Sequence, residues 1–210
     1  MAHRAYENDY PSVTQCLDML RKPGLEAWFK FNTPQFIKEK SEKGKLIGTQ
    51  IHEAIHTYIE TNQTKVETQY AEEVSNVLKS FMLFRKERPE IILKNAEMAL
   101  TSEKHKYNGT LDCEAAVDGV PVIGDWKSSE AKKEEKPVIY AEYKYQVAAY
   151  VKLFNEVKGA DIKDAFIVAL AKDKVAYSIY EMQSQEIDDC FNEVFLSALK
   201  IISYQKRKDK

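Results

Sequence analysis

The chain has 210 residues, 44% of them hydrophobic, with 7 Gly and 6 Pro; this suits one compact domain and excludes a fibrous or disordered chain. A formal net charge of −2 excludes a uniformly basic nucleic-acid binder, so any phosphate contact has to come from local patches. Candidates are Lys127, Lys132, Lys133, Lys136 and Lys144, and the tail Lys206-Arg207-Lys208-Asp209-Lys210. Three cysteines at 16, 113 and 190 form neither a disulfide framework nor a zinc pattern. The first ten residues are polar, and the longest apolar run, Ala165 to Ala171, is far too short to span a bilayer. The chain reads as a soluble, cytoplasmic protein with no membrane partner.

In chain order, Ser12 can cap a helix carrying Val13, Leu17 and Leu20, interrupted by Pro23-Gly24. A second helical stretch carries Leu25, Trp28 and Phe29. Lys38 to Lys45 mixes Lys and Glu and reads as a solvated linker. Strong helices are expected over about 47–61 and 68–88, the latter with Val74, Val77, Leu78, Phe81 and Phe84 on one stripe. The pattern then changes to strands at 91–100, 107–117 and 120–127. After a charged connection over 130–136, an amphipathic helix spans 138–157, with Tyr140, Tyr143, Val147, Tyr150, Val151 and Phe154 on its apolar side. Two strands at 165–171 and 175–180 and a helix from Ser184 complete the chain. This order implies one mixed α/β domain over 1–210: a helical N-terminal part to residue 90 and an α/β core from 91.

Asp118-Gly119 between apolar residues is a two-residue hairpin signal. If Val117 pairs with Val120, counting back sets Asp112 opposite Asp125 in the non-hydrogen-bonded class of pairs. Lys127, two residues on, shares their face, and Trp126 points the other way. Pro121 strains this register, because proline needs an edge or an unpaired position. Opposed carboxylates destabilise a strand pair unless something compensates them. A hard divalent cation would do so, and a lysine beside it makes a site suited to phosphate chemistry.

Four short motifs stand in order around this hairpin: Gly48-Thr-Gln-Ile-His52, Tyr107-Asn-Gly109-Thr-Leu-Asp112, Asp125-Trp126-Lys127-Ser128 and Gln146-Val-Ala-Ala-Tyr150. Together they resemble the PD-(D/E)XK nuclease superfamily, in its RecB-like and phage-exonuclease branch. Tyr10-Pro-Ser-Val-Thr resembles the opening of some phage-type members. The resemblance implies a restriction-endonuclease-like mixed sheet flanked by helices, and a Mg2+-dependent deoxyribonuclease, accepting Mn2+, that hydrolyses DNA from free or single-stranded ends in repair or recombination. It implies that His52, Asp112, Asp125 and the main-chain carbonyl of Trp126 hold the metal, that Lys127 is the catalytic lysine, and that Gln146 and Tyr150 line the site. The four-cysteine arrangement of some relatives is missing, so no iron–sulfur cluster is expected. Glu97, on the preceding strand, could add an outer carboxylate. Oligomeric state is left open.

A rival reading lies in the same residues. His52-Glu53-Ala54-Ile55-His56 is H-E-x-x-H on an expected helix, the pattern of a zinc metallopeptidase. That reading leaves Asp112, Asp125, Lys127 and the Gln146–Tyr150 pair unexplained. A non-catalytic DNA-binding protein of nuclease fold is the other alternative, set against the presence of every expected catalytic side chain.

Overall fold

A computed structural model of the chain describes residues 6, 8–63, 71–131 and 136–208. Ser12 begins α1 (Val13–Leu17) with a reciprocal capping box: its hydroxyl accepts from Gln15 N, and the Gln15 side chain accepts from Ser12 N. The helix ends at Leu17, earlier than the spacing predicts. Helix α2 (Pro23–Phe31) follows. Thr33 then caps α3 (Pro34–Thr61), accepting from Phe36 N, with Pro34 in the first turn.

The expected linker at 38–45 is therefore a correction, since it lies inside this 28-residue helix. Lys, Glu and Gln are good helix formers, and pairs such as Gln35–Glu39, one turn apart, support an exposed helix. High charge marked a solvated surface and said nothing against helical backbone. Helix α4 (Ala71–Glu87) packs beside the second half of α3; the expected start at Thr68 lies outside the described residues.

The sheet has five strands in the order β1-β2-β3-β4-β5. Strands β1 (Ile91–Ser102), β2 (Tyr107–Val117) and β3 (Val120–Ser129) form an antiparallel meander. Helix α5 (Ala141–Lys158) crosses over to β4 (Asp164–Ala171), which pairs parallel with β3, and β5 (Tyr177–Met182) returns antiparallel. Strand β4, buried on both faces, is a continuous apolar run, as central parallel strands are. The chain closes with α6 (Ser184–Asp189), a π-helical turn (Cys190–Phe195) and α7 (Leu196–Lys208).

Two apolar layers hold the sheet. On one face α3 and α4 supply Ile51, Ile55, Val77 and Phe81 against Trp126, Phe166 and Val168. Trp126 sits edge-on to Phe81 and Phe84, with ring centroids 5.4 and 5.8 Å away. Burying each such ring contributes roughly 1.5–3 kcal/mol. On the other face α5, with α1 and α7, packs Val147, Val151 and Leu153 against Leu111, Ile123 and Ile167. No helix is long and apolar enough to cross a membrane among the described residues.

Candidate functional site

The hairpin turn has the left-handed backbone it needs, with φ of 48° at Asp118 and 85° at Gly119. From Val117–Val120 the register runs as expected to Cys113–Gly124 and stops one pair short of Asp112 and Asp125. Pro121 faces Ala116, one step from the turn pair. That is a non-hydrogen-bonded position, so its missing N–H costs the ladder nothing. In a continued ladder Trp126 N–H would bond the β2 backbone; it donates instead to Asp112 Oδ2 at 2.9 Å. The first aspartate thus takes a ladder bond into its own side chain, and the strands part around it.

Strand β2 changes face at the same place. Gly109 and Leu111 lie against α5, whereas Cys113 and Ala115 lie against the α3–α4 layer. Strict alternation would keep these four on one side. The break lets side chains from both helical layers reach one gap. From α3, His52 Nδ1 comes within 3.4 Å of Asp112 Oδ1. On β3, Lys127 Nζ is 2.5 Å from Asp125 Oδ2. From α5, Gln146 Nε2 donates to the Tyr150 hydroxyl at 2.7 Å, and the Tyr143 ring lies 5.6 Å from Lys127 Nζ.

Tyr143 is the neighbour of the site that sequence reasoning placed only in the apolar stripe. Its signal was present: positions 143, 146 and 150 share a helix face. Gly109 shows how tightly β2 and α5 meet, because an added Cβ there would stand 2.8 Å from Leu153 and 3.0 Å from the Tyr150 ring.

The two aspartates differ sharply. Burial would raise the Asp112 carboxyl, but the adjoining His52 charge and hydrogen bond, Lys127 and the Trp126 N–H outweigh it and hold it well below the usual range. Burial pushes Asp125 up to about 7, against the pull of Lys127 and reinforced by Asp112. Asp112 in turn raises His52 against its burial. Lys127 is raised too, since Asp125 and Asp112 outweigh its desolvation. Tyr150 is driven well above its ordinary value by burial and then by both carboxylates.

Asp125 is fully buried, and neither of its oxygens accepts a well-formed hydrogen bond; Oδ2 has the Lys127 ion pair, Oδ1 nothing comparable. Among the described residues, no three His, Cys, Asp or Glu side chains gather into a ready metal cage. His52 and Lys127 meet the two negative charges. The donor set still suits a hard divalent cation, because an unsatisfied buried carboxylate oxygen and a second carboxylate stand on adjacent strands.

Glu97 lies between Ala96 and Met98, which pair with Cys113 and Leu111, so it flanks Asp112 across the ladder, with a φ of 50°. It turns to His56, Oε2 to Nδ1 at 4.0 Å, while His56 Nε2 meets Glu60 at 3.0 Å. The two imidazoles of the H-E-x-x-H segment thus serve different carboxylates, and Glu53 is exposed. Of the basic candidates, Lys144 pairs with Glu186 and lies over the Tyr180 ring, and Lys206 donates to the Asp9 carbonyl. Lys132, Lys133, Asp209 and Lys210 lie outside the described residues.

No family model and no curated protein sequence matches this chain. Solved structures do. A chain from Eubacterium rectale assigned as an exonuclease aligns with a TM-score of 0.52 at 14% identity, covering 76% of this chain and 66% of that one. This chain therefore spans just under two thirds of that relative. An alkaline exonuclease from Laribacter hongkongensis aligns with a TM-score of 0.43 at 13% identity, covering 95% and 93% of the two chains. A phage-related exonuclease from Haemophilus somnus aligns at 0.42 and 14% identity, covering 93% and 96%. These three aligned structures are described as exonucleases, and the first alignment shows a shared fold, here a mixed five-stranded sheet flanked by helices, as the PD-(D/E)XK resemblance implies.

Proposed function

We propose that the chain is a divalent-metal-dependent DNA nuclease that hydrolyses phosphodiester bonds at free or single-stranded ends. The observation that carries this reading is the meeting of Asp112, Asp125 and Lys127 where β2 and β3 part, with one buried carboxylate oxygen unsatisfied. Asp112, Asp125, the Trp126 carbonyl and His52 would hold Mg2+ or Mn2+. Such an ion supplies Lewis acidity and lowers the pKa of a water near it. Lys127, positive and desolvated, is suited to orient the attacking water or to offset charge growing on the phosphate oxygens. Gln146 fixes the Tyr150 hydroxyl, and Tyr150, kept neutral, is left as a hydrogen-bonding group on the wall of the gap. Asp112, held low in pKa, is the standing anion of the pair, and Asp125, now facing Lys127, would be the second carboxylate to hold the cation.

The test is cleavage of end-labelled linear DNA with Mg2+, with EDTA, and by the Lys127→Ala protein. Metal-dependent cleavage lost in the variant is expected, with closed circular DNA spared. Equal cleavage by Lys127→Ala, or none by the unaltered protein with either metal, would overturn the reading.

A further inference from the structure

Helix α2 and the first half of α3 form an arm with no buried side chain among their described residues before Ile47. Its exposed face is aromatic. Phe31 is 88% exposed, and Phe29 and Phe36 are exposed as well. Trp28 is partly exposed, with Phe29 at 5.5 Å and Phe36 at 6.2 Å between ring centroids. A face of this kind cannot be explained as core, since nothing among the described residues covers it.

Charge says what does. Residues 21–46 hold seven cations (Arg21, Lys22, Lys30, Lys38, Lys40, Lys43, Lys45) and three anions (Glu26, Glu39, Glu42), a balance of 7 − 3 = +4; Lys22 and Lys43 pair with Asp18 and Glu73 outside that span, which leaves 4 − 2 = +2 in a chain whose net charge is −2. Lys30, Lys38 and Lys45 make no ion pair among the described residues, and Lys40 Nζ lies 5.7 Å from the Phe36 ring centre. Lysines interleaved with solvent-facing rings suit a strand that offers phosphates and unpaired bases together: cations follow the backbone, and bases stack on rings regardless of sequence. Duplex DNA would hide its base faces and leave the rings unused.

We infer that the α2–α3 arm is a docking platform for single-stranded DNA, with Trp28, Phe29, Phe31 and Phe36 as stacking surfaces. The inference rests on the nuclease reading only in supposing that the docked strand is also the substrate. The arm is continuous with the helix that carries His52. At 1.5 Å per residue, Phe36 stands about 24 Å from His52 along α3, so a strand held on the arm is tethered a few nucleotides from the gap.

Trp emission tests this without any cleavage. The chain has two tryptophans, and Trp126 is 2% exposed in the aromatic core, so quenching by a stacked base reports Trp28. The full chain is titrated in EDTA with oligothymidylate, with duplex DNA and with buffer alone. Saturable, salt-sensitive quenching by the single strand is expected, weakened at least 5-fold in Phe31→Ala and in Lys30→Ala/Lys38→Ala. These exposed positions leave the fold untouched, and circular dichroism checks that they do. Hydrolysis of a small phosphodiester, which cannot reach the arm, should stay unchanged in the same variants. Absent quenching, or quenching that survives both variants, overturns the platform. A concentration-dependent dimer abolished by Phe31→Ala, without quenching, assigns the face to a second copy instead. Quenching without hydrolysis of either substrate leaves the platform standing and removes the nuclease reading.

Discussion

Asp112 and Asp125 have one side-chain chemistry and opposite environments, which is how neighbouring carboxylates acquire different duties. Asp112→Asn and Asp125→Asn should each lower cleavage about 100-fold or more, with far-ultraviolet dichroism unchanged. Near-normal rates in Asp125→Asn would remove it from the site. His52→Ala should raise the Mn2+ concentration needed for half-maximal rate more than it weakens DNA binding, since an imidazole favours transition metals over Mg2+. Glu53→Gln should change little, because Glu53 faces solvent and its flanking histidines serve separate carboxylates. A lethal Glu53→Gln with a tolerated Lys127→Ala would reinstate the metallopeptidase. Proton linkage gives a further outcome. Asp125 and His52 are raised in the folded protein, so each stabilises the fold below its unfolded pKa and loses that contribution as pH climbs through its folded value, about 7 for Asp125. Asp112 is lowered and acts in the opposite sense, only in acid. Metal-free protein should therefore melt lower at pH 8 than at pH 6. Saturating Mg2+ should raise the pH 8 melt more, and Asp125→Asn should flatten the difference. Equal melts at both pH values in the unaltered protein would contradict the burial of an ionisable Asp125.

Strands and helices differ in how much of them the sequence disclosed. The Asp118-Gly119 turn and its register were readable because two-residue hairpins admit few residues and because side chains alternate with a strict period. The splitting of β2 from β3 was not, because it depends on Asp112 taking the Trp126 N–H and on a change of face that no local pattern encodes. The partnership of His52 with Asp112, 60 residues away, was implied by the four-motif resemblance and by no local pattern, since distance along the chain carries no angle in space. The missed half of α3 has a different cause: periodicity reports burial, and an unburied helix has none to report. At this scale Gly124 is the position with the least tolerance. A Cβ there would stand 2.4 Å from the Phe166 ring, inside the layer that seats Trp126. Gly124→Ala should cost roughly 1–3 kcal/mol by overpacking, read as a lower urea midpoint with an unchanged slope. Gly109→Ala presses on Leu153 and Tyr150 and should reduce turnover through Tyr150 before it unfolds the chain; full activity with intact stability would mean the Tyr150 ring can move aside freely.

Across the whole molecule, the gap draws side chains from both helical layers, His52 from one and Gln146 and Tyr150 from the other, so cleavage should be lost in step with global unfolding. Melting curves followed by activity and by Trp126 emission, read in a Trp28→Phe background, should coincide, and separate midpoints would point to an intermediate that keeps one layer alone. Helix α3 behaves differently along its length. Its second half, from Ile47, is pinned by Ile51, Ala54 and Ile55, whereas residues 34–46 bury no side chain and meet α4 through the surface ion pair of Lys43 with Glu73. One rod therefore has two grades of permanence. Amide protons of 38–46 should exchange with solvent through local fraying, orders of magnitude faster than those of 51–58, which have to wait for the entire domain to open.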